Sequence, residues 1–180
     1  MKKILFLLLL LIFSIGCFSQ SVLGIPMGSS FSTVKSQLQN RFGYSAVYDD
    51  NGDLIINSDF SMGDFEFNYG SFEFQRSGSS SYFNYAYFEK RFSISDVKSA
   101  KNARDYLFSL LKDKYEEEYI GSFINDQGFK CYQFGNDPKD SNRALGIIKL
   151  QKTQGKDGKM RLYLQLIYGP IYYIDRSSDF

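Results

Sequence analysis

The sequence of 180 residues has no histidine, no tryptophan, three prolines and two cysteines. Without histidine there is no Ser-His or Cys-His nucleophile pair, no side chain that titrates near neutrality unaided, and no access to the commonest metal ligand. There is no Gly-x-Ser-x-Gly, no phosphate-binding glycine loop and no Cys-x-x-Cys, so those hydrolase, nucleotide-binding and redox motifs are lacking too. Charge of either sign is nearly absent in the balance. Twenty-one basic residues face 20 acidic ones, for a net charge of +1. Nothing in that balance favours nucleic acid.

What the chain does have is aromatic mass, with 18 Phe and 14 Tyr, and one long hydrophobic run. The run is residues 4–13, preceded by Lys2 and Lys3. It is shorter than the roughly 20 apolar residues a membrane-spanning helix needs. It fits the apolar core of a secretory signal peptide over residues 1–19. Cys17-Phe18-Ser19 before Gln20 offers small residues for soluble export. Ser14-Ile15-Gly16-Cys17 reads instead as a lipobox, with Cys17 acylated as a lipid anchor and Ser14 standing where Leu is usual. Either route places the protein outside the cytoplasm, in the periplasm, in the medium or on the outer membrane. Loss of residues 1–19 removes two lysines, leaving 19 basic residues against 20 acidic ones, a net charge of −1. No internal disulfide follows on either route, because Cys131 has no free partner. With no histidine to lower its pKa, Cys131 reads as a buried thiol and not as a nucleophile.

Residues 20–180 read as one compact domain. Phe31, Val34, Leu38 and Phe42 form one stripe at helical period, with Ser30 as N-cap and Gly43 beyond the end. A second stripe, Val97, Ala100, Ala103 or Arg104, Leu107, Leu110, Leu111 and Tyr115, predicts another helix. An aspartate at Leu107 or Leu110 is expected to unfold the protein. Ser93 and Asp96 stand at the spacing of a capping box, and Glu116-Glu117-Glu118 opposes the helix dipole near the end.

Strands fill the remainder. Residues 44–48 and 54–57 flank Asn51-Gly52, a hairpin turn signal, and residues 65–69 and 71–75 alternate apolar and polar. Residues 82–88 are aromatic on both faces. Residues 129–134, 145–151, 160–168 and 171–174 follow, with a polar loop at 135–143 and a tail at 176–180. Counted from Asp49, the sixth position of the Asp49–Asp53 loop is Leu54, where a calcium loop needs Gly; the loop reads as a solvated turn. The order is helix, four strands, helix, four strands. Residues 30–36 and 93–99 match at five of seven positions. The expectation is an α+β protein of two helix-plus-antiparallel-sheet units, about 24–91 and 92–175, arising by tandem duplication.

Leu23-Gly24-Ile25-Pro26-Met27-Gly28-Ser29-Ser30-Phe31-Ser32-Thr33-Val34 resembles the opening of the SmpA/OmlA-type outer-membrane lipoprotein domains and of the tandem-repeat β-lactamase inhibitor proteins. Gly28, Ser30 and Val34 carry the likeness; the second unit has Arg91 where the glycine belongs. The resemblance implies helices packed on an antiparallel sheet and a protein-binding role, and transfers no site residue. As a whole the chain also resembles uncharacterised secreted proteins of gut-type bacteria.

The residues define no catalytic, cofactor-binding or metal-ligating set. The aromatic surplus points to a noncatalytic envelope or secreted protein that binds a protein or other macromolecule, with Tyr82, Tyr85, Tyr87, Tyr163, Tyr172 and Tyr173 as candidate exposed positions. One alternative is a glycan or small-molecule module on a curved sheet. Another is a small hydrolase using outward carboxylates such as Glu66 and Glu73. Lys152, Lys156, Lys159 and Arg161, diluted by Asp157, form the one cationic cluster and read as a solubilising hairpin tip.

Overall fold

The computed structural model describes residues 21–115, 117–135, 146–155 and 157–170. The leader, Cys17, Lys156, the loop around Pro138, Tyr172, Tyr173 and the strand expected at 171–174 lie outside the described residues. A two-residue hairpin, β1 (Ser21–Val22) with β2 (Ile25–Pro26), leads into helix α1 (Phe31–Phe42). Strands β3 (Val47–Asp50) and β4 (Asp53–Ile56) turn at Asn51-Gly52, whose φ angles of 57° and 92° are the positive pair that such a turn requires. The Asp49 carboxylate accepts from the Gly52 N–H at 3.0 Å, so this acid closes the turn. The hairpin β5 (Phe60–Met62) and β6 (Phe65–Phe67) stands apart as its own two-stranded sheet. Then come β7 (Tyr69–Ser77), β8 (Ser80–Ser93), helix α2 (Val97–Lys112), a 3-10 turn (Glu117–Tyr119), β9 (Ile120–Ile124), β10 (Lys130–Phe134), β11 (Gly146–Gln154) and β12 (Met160–Tyr168).

The expected α+β pair of helix-plus-sheet units is overturned. The chain is mostly β, with two α-helices among the described residues, and its eight principal strands form one antiparallel sheet in the order β3-β4-β7-β8-β12-β11-β10-β9. β8 pairs with β12 without interruption from Ala86↔Tyr168 to Ser93↔Arg161. The physical reason is edge satisfaction: as separate sheets, β8 and β12 would each leave a row of backbone donors and acceptors unpaired beside an apolar face. The matched helix starts are not equivalent either. Ser30 is the N-cap of α1, and its Oγ accepts from Thr33 N at 3.3 Å. In α2 the N-cap is Asp96, which makes no side-chain cap bond, while Ser93 Oγ contacts Ser95 Oγ at 3.0 Å, so the capping box does not form. α2 ends at Lys112, before the glutamate run. Ser30→Ala is expected to lower stability by about 1 kcal/mol in denaturant titration, the usual loss for a working N-cap, whereas Ser93→Ala changes it by less than about 0.5 kcal/mol.

Both helices and the β5–β6 hairpin cover one face of the sheet. Alternation sends Val47, Leu54, Ile56, Phe72, Phe83, Ala86, Phe88, Leu162, Leu164, Leu166, Ile148, Leu150, Tyr132 and Phe134 to that side, where they join Val34, Leu38, Ala100, Leu107 and Leu111 in one core. Phe88 lies at its centre, with rings of Phe60, Phe67, Phe72 and Tyr168 within 6.5 Å of its own. Arg104, buried on α2, donates to Lys130 O at 2.9 Å and pairs with Asp105 at 2.7 Å.

Candidate binding face

The opposite face of the sheet carries neither helix, and three of its first four strands, β3, β7 and β8, present tyrosines. Register fixes which ones. Tyr48 pairs with Ile55, Ile55 with Ser71 and Ser71 with Tyr87, so these four cross the sheet in one row. Tyr69 pairs with Glu89, and Glu73 with Tyr85, in the rows on either side. A register shift between Glu73 and Phe74 inserts Asn84 into β8, which is why Phe83 and Ala86 both reach the core although three residues apart. Tyr48 is 44% exposed; Tyr69, Tyr82, Tyr85 and Tyr87 are half-buried.

Around Tyr87 the groups are tied together. Gln165 Nε2 donates to the Tyr87 hydroxyl at 2.7 Å, that hydroxyl donates to the Glu89 carboxylate, and Arg91 Nε donates to the other Glu89 oxygen at 3.1 Å. Burial first, and then the bond to Glu89, push the Tyr87 phenol far above its ordinary pKa. It holds its proton and serves as a donor, and Glu89 is engaged on both oxygens.

Across β4 and β7, Asp53 and Glu73 are neighbours. Burial raises both carboxyls; Asp53 adds to the rise at Glu73, and Asp50 and Asp49 add to that at Asp53, offset there by the Phe74 N–H and by Arg76. Burial and then Glu73 raise Tyr85. A carboxyl whose pKa is raised on folding stabilises the fold below its ordinary pKa, and that contribution is lost as pH climbs through the raised value. Glu73→Gln is therefore expected to raise the melting temperature at pH 7 by about 1–2 °C and to bring no gain at pH 3, read by thermal melts at the two pH values.

The expected exposed tyrosines divide. Tyr82, Tyr85 and Tyr87 share the tyrosine face, but Tyr163 is only 7% exposed. Tyr48 and Tyr69 belong to the group and were not among the expected positions; their period-two offset from the core residues of their own strands was the available signal. Glu66 and Glu73 do not meet. Glu66 sits in the β5–β6 hairpin and pairs with Lys90 at 3.3 Å, while Glu73 lies in the large sheet beside Asp53. Cys131 is buried, on the same face as the buried Gln133, and burial raises its thiol pKa. That is the reverse of a nucleophile's requirement. In the basic tip, Arg161 Nη1 donates to Asp157 at 2.6 Å, and Lys152 lies 5.6 Å from the centre of the Phe129 ring. No three His, Cys, Asp or Glu side chains gather as a metal site among the described residues. No protein-family model, curated protein or solved structure matches the chain.

Proposed function

We propose that this is an exported, noncatalytic protein that binds another protein through the tyrosine face of β3, β4, β7 and β8. The observation that carries the reading is the grouping of Tyr48, Tyr69, Tyr82, Tyr85 and Tyr87 on the face that carries neither α1 nor α2, half-buried or exposed. Tyrosine offers broad contact area, a hydroxyl for hydrogen bonding and few rotors to freeze, which is why it recurs at binding surfaces. Tyr87, Glu89, Gln165 and Arg91 hold one another in place, which suits a preorganised surface. Export rests on the Lys2-Lys3 and 4–13 leader, with acylated Cys17 as the alternative route to the envelope.

A photo-reactive amino acid placed at Tyr85 or Tyr69 in living cells tests the face. The reading expects one discrete protein adduct from both positions and none from Tyr106, an exposed tyrosine of α2. Identical adducts from Tyr106, or none from the face, would overturn it. Mass spectrometry of the accumulated protein tests export: the N-terminus should be Gln20, or Cys17 carrying acyl chains, and intact Met1 in the cytoplasm would refute it.

A further inference from the structure

On the helix side of the sheet, a cleft of about 460 Å³ opens between α1 with the β1–β2 hairpin, the β5–β6 turn and the C-terminal half of α2. Its size falls within the range of about 300–1,000 Å³ typical of small-molecule sites. Phe67, Leu107, Leu111 and Leu166 give it apolar walls. Three further features, Tyr168, Lys114 and Arg41, set what it can hold.

Tyr168, from the central strand β12, also lines the cleft. It is 7% exposed, and among the described residues nothing hydrogen-bonds its hydroxyl. A buried hydroxyl without a partner is uncommon and unfavourable, and marks a place where a ligand or water supplies the missing bond. Tyr115, another lining residue, is near enough to disfavour the ionised form of Tyr168 beyond what burial does, so the phenol remains a donor. At the rim, Lys114 is exposed and makes no ion pair with the described residues, and Arg41 makes one long bond, 3.4 Å to Leu23 O, and lies 5.5 Å from the centre of the Phe42 ring. Against these two cations the described lining has one acid, Asp64, so among the described residues the mouth is net positive.

We infer that this cleft binds an amphipathic carboxylate carrying a second oxygen function: its apolar body lies on Phe67, Leu107, Leu111 and Leu166, its hydroxyl or keto oxygen meets Tyr168, and its carboxylate sits at the mouth with Arg41 and Lys114. This site is on the other side of the sheet from the tyrosine face and does not depend on it.

Isothermal titration calorimetry with 10-hydroxydecanoate, decanoate and decyltrimethylammonium tests the inference on the protein in the form that cells accumulate. The hydroxy acid is expected to bind about tenfold more tightly than decanoate, one hydrogen bond's worth, and the cation not to bind. Tyr168→Phe should abolish the preference for the hydroxy acid while leaving the melting temperature equal or higher, because the hydroxyl has no partner to lose among the described residues. Arg41→Gln with Lys114→Gln should weaken both acids about tenfold. Tyr85→Ala should change none of these affinities, which separates this site from the tyrosine face. Absence of binding by the hydroxy acid at millimolar concentration, equal affinity for the cation, a preference surviving Tyr168→Phe, or a lower melting temperature for that variant would each overturn the assignment.

Discussion

Leu107→Asp is expected to abolish cooperative unfolding, leaving no melting transition by circular dichroism at pH 7. Leu107 is 3% exposed, on the inner side of α2 where that helix packs on β8, β11 and β12. The substitution removes a buried leucine, worth about 2–5 kcal/mol, and forces a carboxylate into the packing of α2 on the sheet, one turn from a buried Arg104 already committed to Lys130 O and Asp105. The combined loss approaches the whole stability of a typical domain, about 5–15 kcal/mol. Leu110→Asp differs, although the helical stripe gives both leucines the same standing. Leu110 is half-buried at the cleft wall, four residues before Lys114. An aspartate there reaches water at the cleft wall, so the variant should still melt cooperatively. Two indistinguishable melts would mean that α2 is rotated from the orientation described.

Phe88→Ala is expected to lower stability by about 3–5 kcal/mol and the melting temperature by about 10–15 °C, measured by denaturant titration and thermal melt. Phe88 is fully buried, and its ring lies 5.5 Å from Phe72, 5.6 Å from Phe67, 6.1 Å from Phe60 and 6.5 Å from Tyr168. Those partners come from the large sheet and from the separate β5–β6 hairpin. They cannot collapse into the void together, because each is anchored by a different strand. A loss below about 1 kcal/mol would show that the hairpin closes over the gap.

What the sequence discloses is local. Val34 and Leu38 at helical spacing, Ser30 at the helix start, and Asn51-Gly52 with its positive φ pair each encode a conformation within a few residues, and each forms as their chemistry requires. Met160, Leu162, Leu164, Leu166 and Tyr168 likewise fall on one face, although Met160 remains half exposed at the strand's start. Partnership between distant strands is not written in period or propensity. Nothing in residues 80–93 names residues 160–168 as their neighbour, and that one pairing turns two anticipated sheets into one. Asn84 gives no sign that it will be the extra residue of a bulge, so the faces of residues 82–88 could not be sorted from alternation alone. Ser93 and Asp96 match a capping pattern, yet Asp96 is itself the N-cap, and only its backbone carbonyl, accepting from Ala100 N at 3.1 Å, takes part. The tyrosine face was partly legible: Tyr82, Tyr85 and Tyr87 stood out by composition, whereas Tyr48 and Tyr69 needed the register.

The seam between β8 and β12 also sets the order of events in folding. Tyr87 meets Ile167 across a gap of some 80 positions, so the two central strands cannot find each other until nearly all the described chain has been synthesised. Hairpins such as β3–β4 and β11–β12 close over short loops and form early; joining the halves requires a long loop to close and belongs late on the pathway. Until that moment each half carries an unsatisfied strand margin, which gives holding factors a window in which to keep the chain from pairing with its neighbours.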